Sequence, residues 1–122
     1  MANPFVHVEL HTNDPEKAER FYKELFDWEF EDVPDMNYTI IKVGEGTGGG
    51  MMKCPMPENA RPQWVPYVLV DDVRAATEKA KSLGATLLTD VMEVPGIGWF
   101  SMFLDPTGAA FALWEPKMPA SE

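Results

Sequence analysis

Residues 5–26 read FVHVELHTNDPEKAERFYKELF. The opening eight alternate as a strand does. Val6, Val8 and Leu10 point to one face, and Phe5, His7, Glu9 and His11 to the other, because successive side chains on a strand project to opposite sides. Both histidines of the protein stand in that second row, with a carboxylate between them. Asp14-Pro15-Glu16 then opens a helix, with an N-cap, a proline suited to the first helical position and negative charge in the first turn. Ala18, Phe21, Tyr22 and Leu25 recur at helical spacing and are expected to form its buried stripe.

Outward from this stretch, residues 28–33 (WEFEDV) alternate as a strand. Pro34-Asp35 reads as a turn, and residues 37–43 (NYTIIKV) as a β-rich segment. Residues 44–50 (GEGTGGG) read as a hairpin turn rich in positive-φ positions, leading into a short strand at 51–53. A phosphate-binding loop would need GK[ST] opening a helix after the glycines, and none follows. Residues 54–66 (CPMPENARPQWVP) carry Pro55, Pro57, Pro62 and Pro66 and read as a proline-stiffened linker.

The second half repeats the first in outline. A strand at 65–70 precedes a helix at 72–83, stopped by Gly84. A strand within 85–94, another at 98–104, the Asp105-Pro106-Thr107-Gly108 turn and a last strand at 109–115 follow. Residues 116–122 read as a fraying tail. A shift of 58 carries Asp14 onto Asp72, Ala18 onto Ala76, Leu25 onto Leu83 and His7 onto Val65. The expected fold is therefore α+β: two tandem βαβββ modules, with the helices in one layer and the half-sheets curving into a concave mixed sheet with a cleft. One domain covers 1–122, with module one at about 4–54, the linker at about 55–63 and module two at about 64–116.

The 122 residues include 20 acidic and 10 basic side chains, a net charge of -10. That balance argues against nucleic acid or an anionic membrane as partner, since both need basic surface. It permits a cationic ligand, although plain solubility accounts for it as well. No apolar run reaches the length of a membrane span, and no basic-then-apolar leader opens the chain. The single cysteine, Cys54, has no CxxC spacing and reads as a passive thiol, compatible with a cytoplasmic protein.

The paired modules resemble the vicinal oxygen chelate superfamily, which includes glyoxalase I, extradiol dioxygenases, fosfomycin resistance enzymes and bleomycin-binding proteins. The matching stretches are HVELHTNDPEKAERFY (7–22), Val70-Asp71-Asp72-Val73, Leu83-Gly84-Ala85 and Leu104-Asp105-Pro106-Thr107-Gly108-Ala109. The resemblance implies a divalent metal held by one residue from each of four strands, commonly His, Glu, His, Glu, acting as an electrophile. Carried over by position, the ligands fall on His7, near Met52 give or take one residue, Val65 and Ala112. Only His7 suits a hard divalent cation. The four-ligand metal site is thus expected to be missing, and no cofactor is assigned. An ion on His7 and Glu9, roughly 7 Å apart along the strand, is the minor alternative.

His7 and Glu9 are the expected catalytic or anchoring pair, a carboxylate raising the basicity of a neighbouring imidazole. The plainer reading is that both are satisfied by neighbours. His11 is expected near the strand end and partly exposed, and Glu115 on the rim. Tyr67, Trp114 and Met52 are expected to line the cleft with His7 and Glu9, with Trp64, Trp99, Phe103 and Tyr38 nearby in no fixed direction. The expected role is binding, and in some form modifying, a small organic molecule. The alternatives are a metal-dependent glyoxalase-type lyase or dioxygenase, an antibiotic-sequestering protein of the bleomycin-resistance type, and a non-catalytic interaction module. The resemblance also implies a homodimer.

Overall fold

The computed structural model describes residues 3–34, 37–53 and 61–117. Its elements are β1 (Phe5–Thr12), α1 (Pro15–Leu25), β2 (Glu29–Val33), β3 (Tyr38–Lys42) and β4 (Gly49–Lys53), then β5 (Gln63–Leu69), α2 (Val73–Ser82), β6 (Thr86–Val94), β7 (Gly98–Leu104) and β8 (Ala110–Pro116). Strand, helix and three strands occur twice, as the α+β repeat requires. Contacts divide the chain into Val6–Val65 and a second unit of Met1–Phe5 with Pro66–Glu122. Cys54, the linker up to residue 60, Asp35 of the expected turn and the tail beyond Lys117 lie outside the described residues. Among the described residues, no helix is long and apolar enough to cross a membrane.

In the first unit the strands lie in the order β2-β3-β4-β1. β1 runs parallel to β4 with Glu9 opposite Gly50, and β4 runs antiparallel to β3 with Gly50 opposite Ile40. One face buries Leu10, Ile41 and Met51, covered by Ala18 and Tyr22 of α1 and by Trp28, Phe30 and Val43. Removing these apolar surfaces from water holds the helix to the sheet. The Asp14 carboxylate caps α1 by accepting from the Lys17 N–H at 3.1 Å. The expected stripe is met only in part. Ala18 and Tyr22 pack on the core, whereas Phe21 and Leu25 are each 57% exposed. The helix meets the sheet through its i, i+4 ridge, and the adjoining positions stand away from it.

The glycine run divides between two uses. Gly44 and Gly46 have positive φ and make the turn. Gly49 and Gly50 are buried strand residues, so β4 begins earlier than residue 51. A Cβ on Gly49 would run into the Val8 carbonyl, and one on Gly50 into the Tyr38 ring and hydroxyl. Here glycine permits close approach.

In the second unit the order is β5-β8-β7-β6. Tyr67 stands opposite Ala112, and Ala112 opposite Met102. Val73, Phe103 and Leu113 form the core, with Ala76, Ala80, Leu87, Trp99 and Phe111 packed against it. Thr77 donates to the Val73 carbonyl at 2.6 Å and its hydroxyl meets Ser101 Oγ at 2.9 Å, tying α2 to β7 by a buried polar pair. Asp72 caps α2 through the Arg74 and Ala75 N–H groups. Glu115 departs from its expected place on a rim. Its Oε1 accepts from the Val73 N–H at 2.9 Å, so this carboxylate from β8 satisfies one of the open donors at the start of α2.

Candidate functional site

The face of β1 opposite its core row carries His7, Glu9 and His11. Gly50, directly beside Glu9, has no side chain, and Tyr38 reaches from β3 across that gap. Its hydroxyl donates to Glu9 Oε2 at 2.7 Å and lies 2.7 Å from His7 Nε2. The other carboxylate oxygen, Oε1, takes His11 Nε2–H at 2.8 Å. The four groups form one chain, His7–Tyr38–Glu9–His11. His7 stands 3.9 Å from Glu9 and meets it chiefly through the tyrosine. The His7 and Tyr38 rings lie nearly parallel, inclined by 19°.

Exposure grades along this chain. Glu9 and His11 are 6% and 2% exposed, whereas the His7 side chain is 31% exposed. His11 is therefore an inner member, not a partly exposed strand end, because its imidazole is drawn onto the buried carboxylate. Burial lowers the His7 pKa below its ordinary value, and the nearby Glu9 charge offsets only part of that effect. His7 is thus a neutral imidazole at neutral pH, at the accessible end of a hydrogen-bonded chain.

Met52 stands opposite His11 on the same face, half-buried. Tyr67 and Trp114 occupy the corresponding face of the second unit. Tyr67 is buried beside Phe100, ring centroids 6.1 Å apart, and Trp114 stands opposite Phe100 and Leu69. Trp64, Trp99 and Phe103 go to the helix side. Trp64 packs edge-on to Tyr22 and Trp28, and Trp99 and Phe103 join the α2 core. Sequence reasoning gave Tyr38 no direction. The signal that would have found it is the pair of glycines inside a strand, which marks a close approach by another group. Hollows of about 250 Å³ and about 330 Å³ open on the opposite, helix-bearing side of the first unit, the former walled by Trp28 and Trp64 and the latter by Phe21 and Tyr22.

The strand registers also test the implied metal positions. Gly50 pairs with Glu9 as Ala112 pairs with Tyr67, 58 residues later on the first strand of each module. The internal counterpart of Ala112 is therefore Gly50, and Met52 is the counterpart of Trp114. Neither Val65, Ala112 nor Gly50 has a donor atom in its side chain. Among the described residues, no group of three or more His, Cys, Asp or Glu is arranged to hold a metal ion. The donor set present does not fit a four-ligand divalent centre.

Two βαβββ modules bearing a polar row on the first strand define the class, and sequence similarity specifies it. The chain belongs to the Glyoxalase/Bleomycin resistance protein/Dioxygenase superfamily, whose model matches residues 5–113. It is 33% identical over 111 residues to CFP32 of Mycobacterium tuberculosis, a protein named as a candidate glyoxylase, covering 88% of this chain and 42% of that protein. The chain thus spans less than half the length of that relative. Over 51 residues, 42% of this chain and 18% of the other, it is 39% identical to the anthracycline biosynthesis protein DnrV of Streptomyces peucetius. Among solved structures, methylmalonyl-CoA epimerase from Mycobacterium tuberculosis superposes with a TM-score of 0.65 at 17% identity, covering 93% of this chain and 88% of that one. That likeness concerns the fold alone.

Proposed function

We propose that this chain binds a small organic molecule at the His7 end of the His7–Tyr38–Glu9–His11 chain, and acts on it, where it acts, by metal-independent proton transfer. The observation that carries this reading is the pair of 2.7 Å contacts through Tyr38, linking a part-exposed neutral imidazole to a buried carboxylate. A neutral imidazole is a general base at neutral pH, and a carboxylate behind it steadies the charge that proton uptake creates. The donor-poor side chains at the implied metal positions support the metal-independent part.

The test is an NMR screen of uncharged phenols, quinones and hydroxy-ketones, read at the His7 ring signals. Ligands should shift those signals, and Tyr38→Phe should weaken binding about tenfold, the equivalent of one well-placed hydrogen bond. Stoichiometric tight binding of Zn²⁺, Ni²⁺, Mn²⁺ or Fe²⁺, abolished by His7→Ala, would overturn the metal-independent reading in favour of a metal-dependent lyase or dioxygenase.

A second reading is sequestration of a bulky, cationic natural product. It is supported by the partial likeness to an anthracycline biosynthesis protein and by the net charge of -10. It requires saturable binding that weakens steeply with salt. The homodimer implied by the family resemblance belongs to the same proposal, and sedimentation of the purified chain decides it.

A further inference from the structure

We propose that the hollow walled by Trp28 and Trp64 is a second ligand site, for an uncharged aromatic molecule of one or two rings. It lies on the helix-bearing side of the first unit, across the sheet from the His7–Tyr38–Glu9–His11 chain, and is independent of the reading above. Its volume is about 250 Å³. An apolar cavity of about 150 Å³ stays dry and takes up benzene, so this one has room for a fused pair of rings.

The repeat explains the space and what suits it. By strand register Gly49 corresponds to Phe111, and Ile41 to Phe103. In module two the Phe111 and Phe103 rings lie stacked, centroids 5.3 Å apart and planes inclined by 16°, and fill the core against α2. In module one the place of the first ring falls to a glycine that lines the hollow. Even a Cβ at Gly49 would run into the Val8 carbonyl, so the chain cannot fill the space from this position. What module two completes with its own phenyl ring, module one leaves to a ring from outside.

The walls suit such a guest. Trp28 and Trp64 meet edge to face, centroids 6.4 Å apart at 80°, and form two sides of a corner. Tyr22 braces both, at 5.7 and 5.5 Å, and Phe26 packs on Trp28 at 4.7 Å. Rings held in advance need little ordering when a ligand enters, and aromatic pairs gain from offset or edge-on contact. Val8, Ile41 and Val43 complete the apolar wall, and Thr47 brings a hydroxyl. Among the described residues no charged side chain lines the hollow. An ion entering it would therefore give up water without gaining a partner. Trp64 is 36% exposed, so solvent reaches this wall of the hollow.

Titration with toluene and with benzylammonium, read by NMR at the indole N–H signals of the 4 tryptophans, tests the site. Toluene should move the Trp28 and Trp64 signals and leave those of Trp99 and Trp114 in place. Val43→Phe puts a ring of the chain's own into the hollow and should abolish the effect, with unchanged Trp99 and Trp114 signals reporting a folded protein. Trp64→Ala removes a part-exposed wall and should weaken toluene about tenfold; it decides the matter should Val43→Phe fail to fold. Benzylammonium carries the same ring with a charge and should bind about tenfold more weakly, despite the acidity of the protein. Tighter binding of benzylammonium than of toluene overturns the uncharged class in favour of a cation held over the indole faces. Toluene that moves neither Trp28 nor Trp64, that moves all four signals alike, or that binds undiminished to Trp64→Ala overturns the site itself.

Discussion

The two modules are one scaffold carrying two different chemistries. Ile41 and Met51 in the first core correspond by register to Phe103 and Leu113 in the second, and Ala18 to Ala76 on the helices. On the opposite face the same bookkeeping sets Glu9 against Tyr67, His11 against Leu69, Gly50 against Ala112 and Tyr38 against Phe100. In module one the aromatic ring from the third position of the repeat brings a hydroxyl to a carboxylate. In module two the matching ring, Phe100, has no hydroxyl and packs beside Tyr67. The buried helix-side residues answer to packing, which any apolar side chain of suitable volume meets. The other face answers to hydrogen-bond satisfaction, which a single atom decides. That is why the modules agree in their cores and diverge on their opposite faces.

The sharpest way to break the comparison is at the paired glycines. Gly49 matches Phe111 in module two, so the need for glycine belongs to module one alone. Gly49→Ala should destabilise the protein by about 3 kcal/mol, because its Cβ meets backbone that cannot swing aside. Urea unfolding measures it. Gly50→Ala should cost only about 1 kcal/mol in the same assay, since the obstructing group is the mobile end of Tyr38. Equal costs would show that the two glycines serve one purpose.

Glu9→Leu removes from module one the carboxylate that module two lacks at the matching position, Tyr67. It strips the acceptor from both Tyr38 and the buried His11, and should cost about 2 kcal/mol in the same measurement. Adding Tyr38→Phe and His11→Leu, which removes those two donors as well, should recover part of that loss.

The smallest effect is one of pH. Folding lowers the His7 pKa, so as pH falls below the ordinary histidine value of 6.5 the unfolded chain takes up the proton more readily than the folded one. Stability due to His7 is full above that pH and falls progressively in acid. Thermal melts at descending pH should show a shallower decline for His7→Gln than for the wild type. An identical decline would place the acid sensitivity elsewhere.

Much of this architecture was legible in the chain itself. The alternation at 5–11, the Asp14 and Asp72 caps and the 58-residue shift lead to two βαβββ modules, because strand parity and helix capping are local properties. The shift holds from β1 through α1 and becomes 62 by β4, as irregularities in β6 and the longer second hairpin add residues. Tyr38, the burial of His11 and the cap supplied by Glu115 were not legible, since each depends on which residues of distant strands lie side by side. Gly50 lay in view within GTGGG, but its neighbour across the sheet is fixed only once β3, β4 and β1 are in register.

The Glu115 carboxylate, 42 residues downstream of the N–H it caps, gives synthesis a direction. Asp72 is already present when α2 leaves the ribosome, and Glu115 is not. A nascent chain that stops short of it has a helix with one open donor and an unfinished β8. Completion of the second module is thereby deferred until nearly its last strand residue has been made.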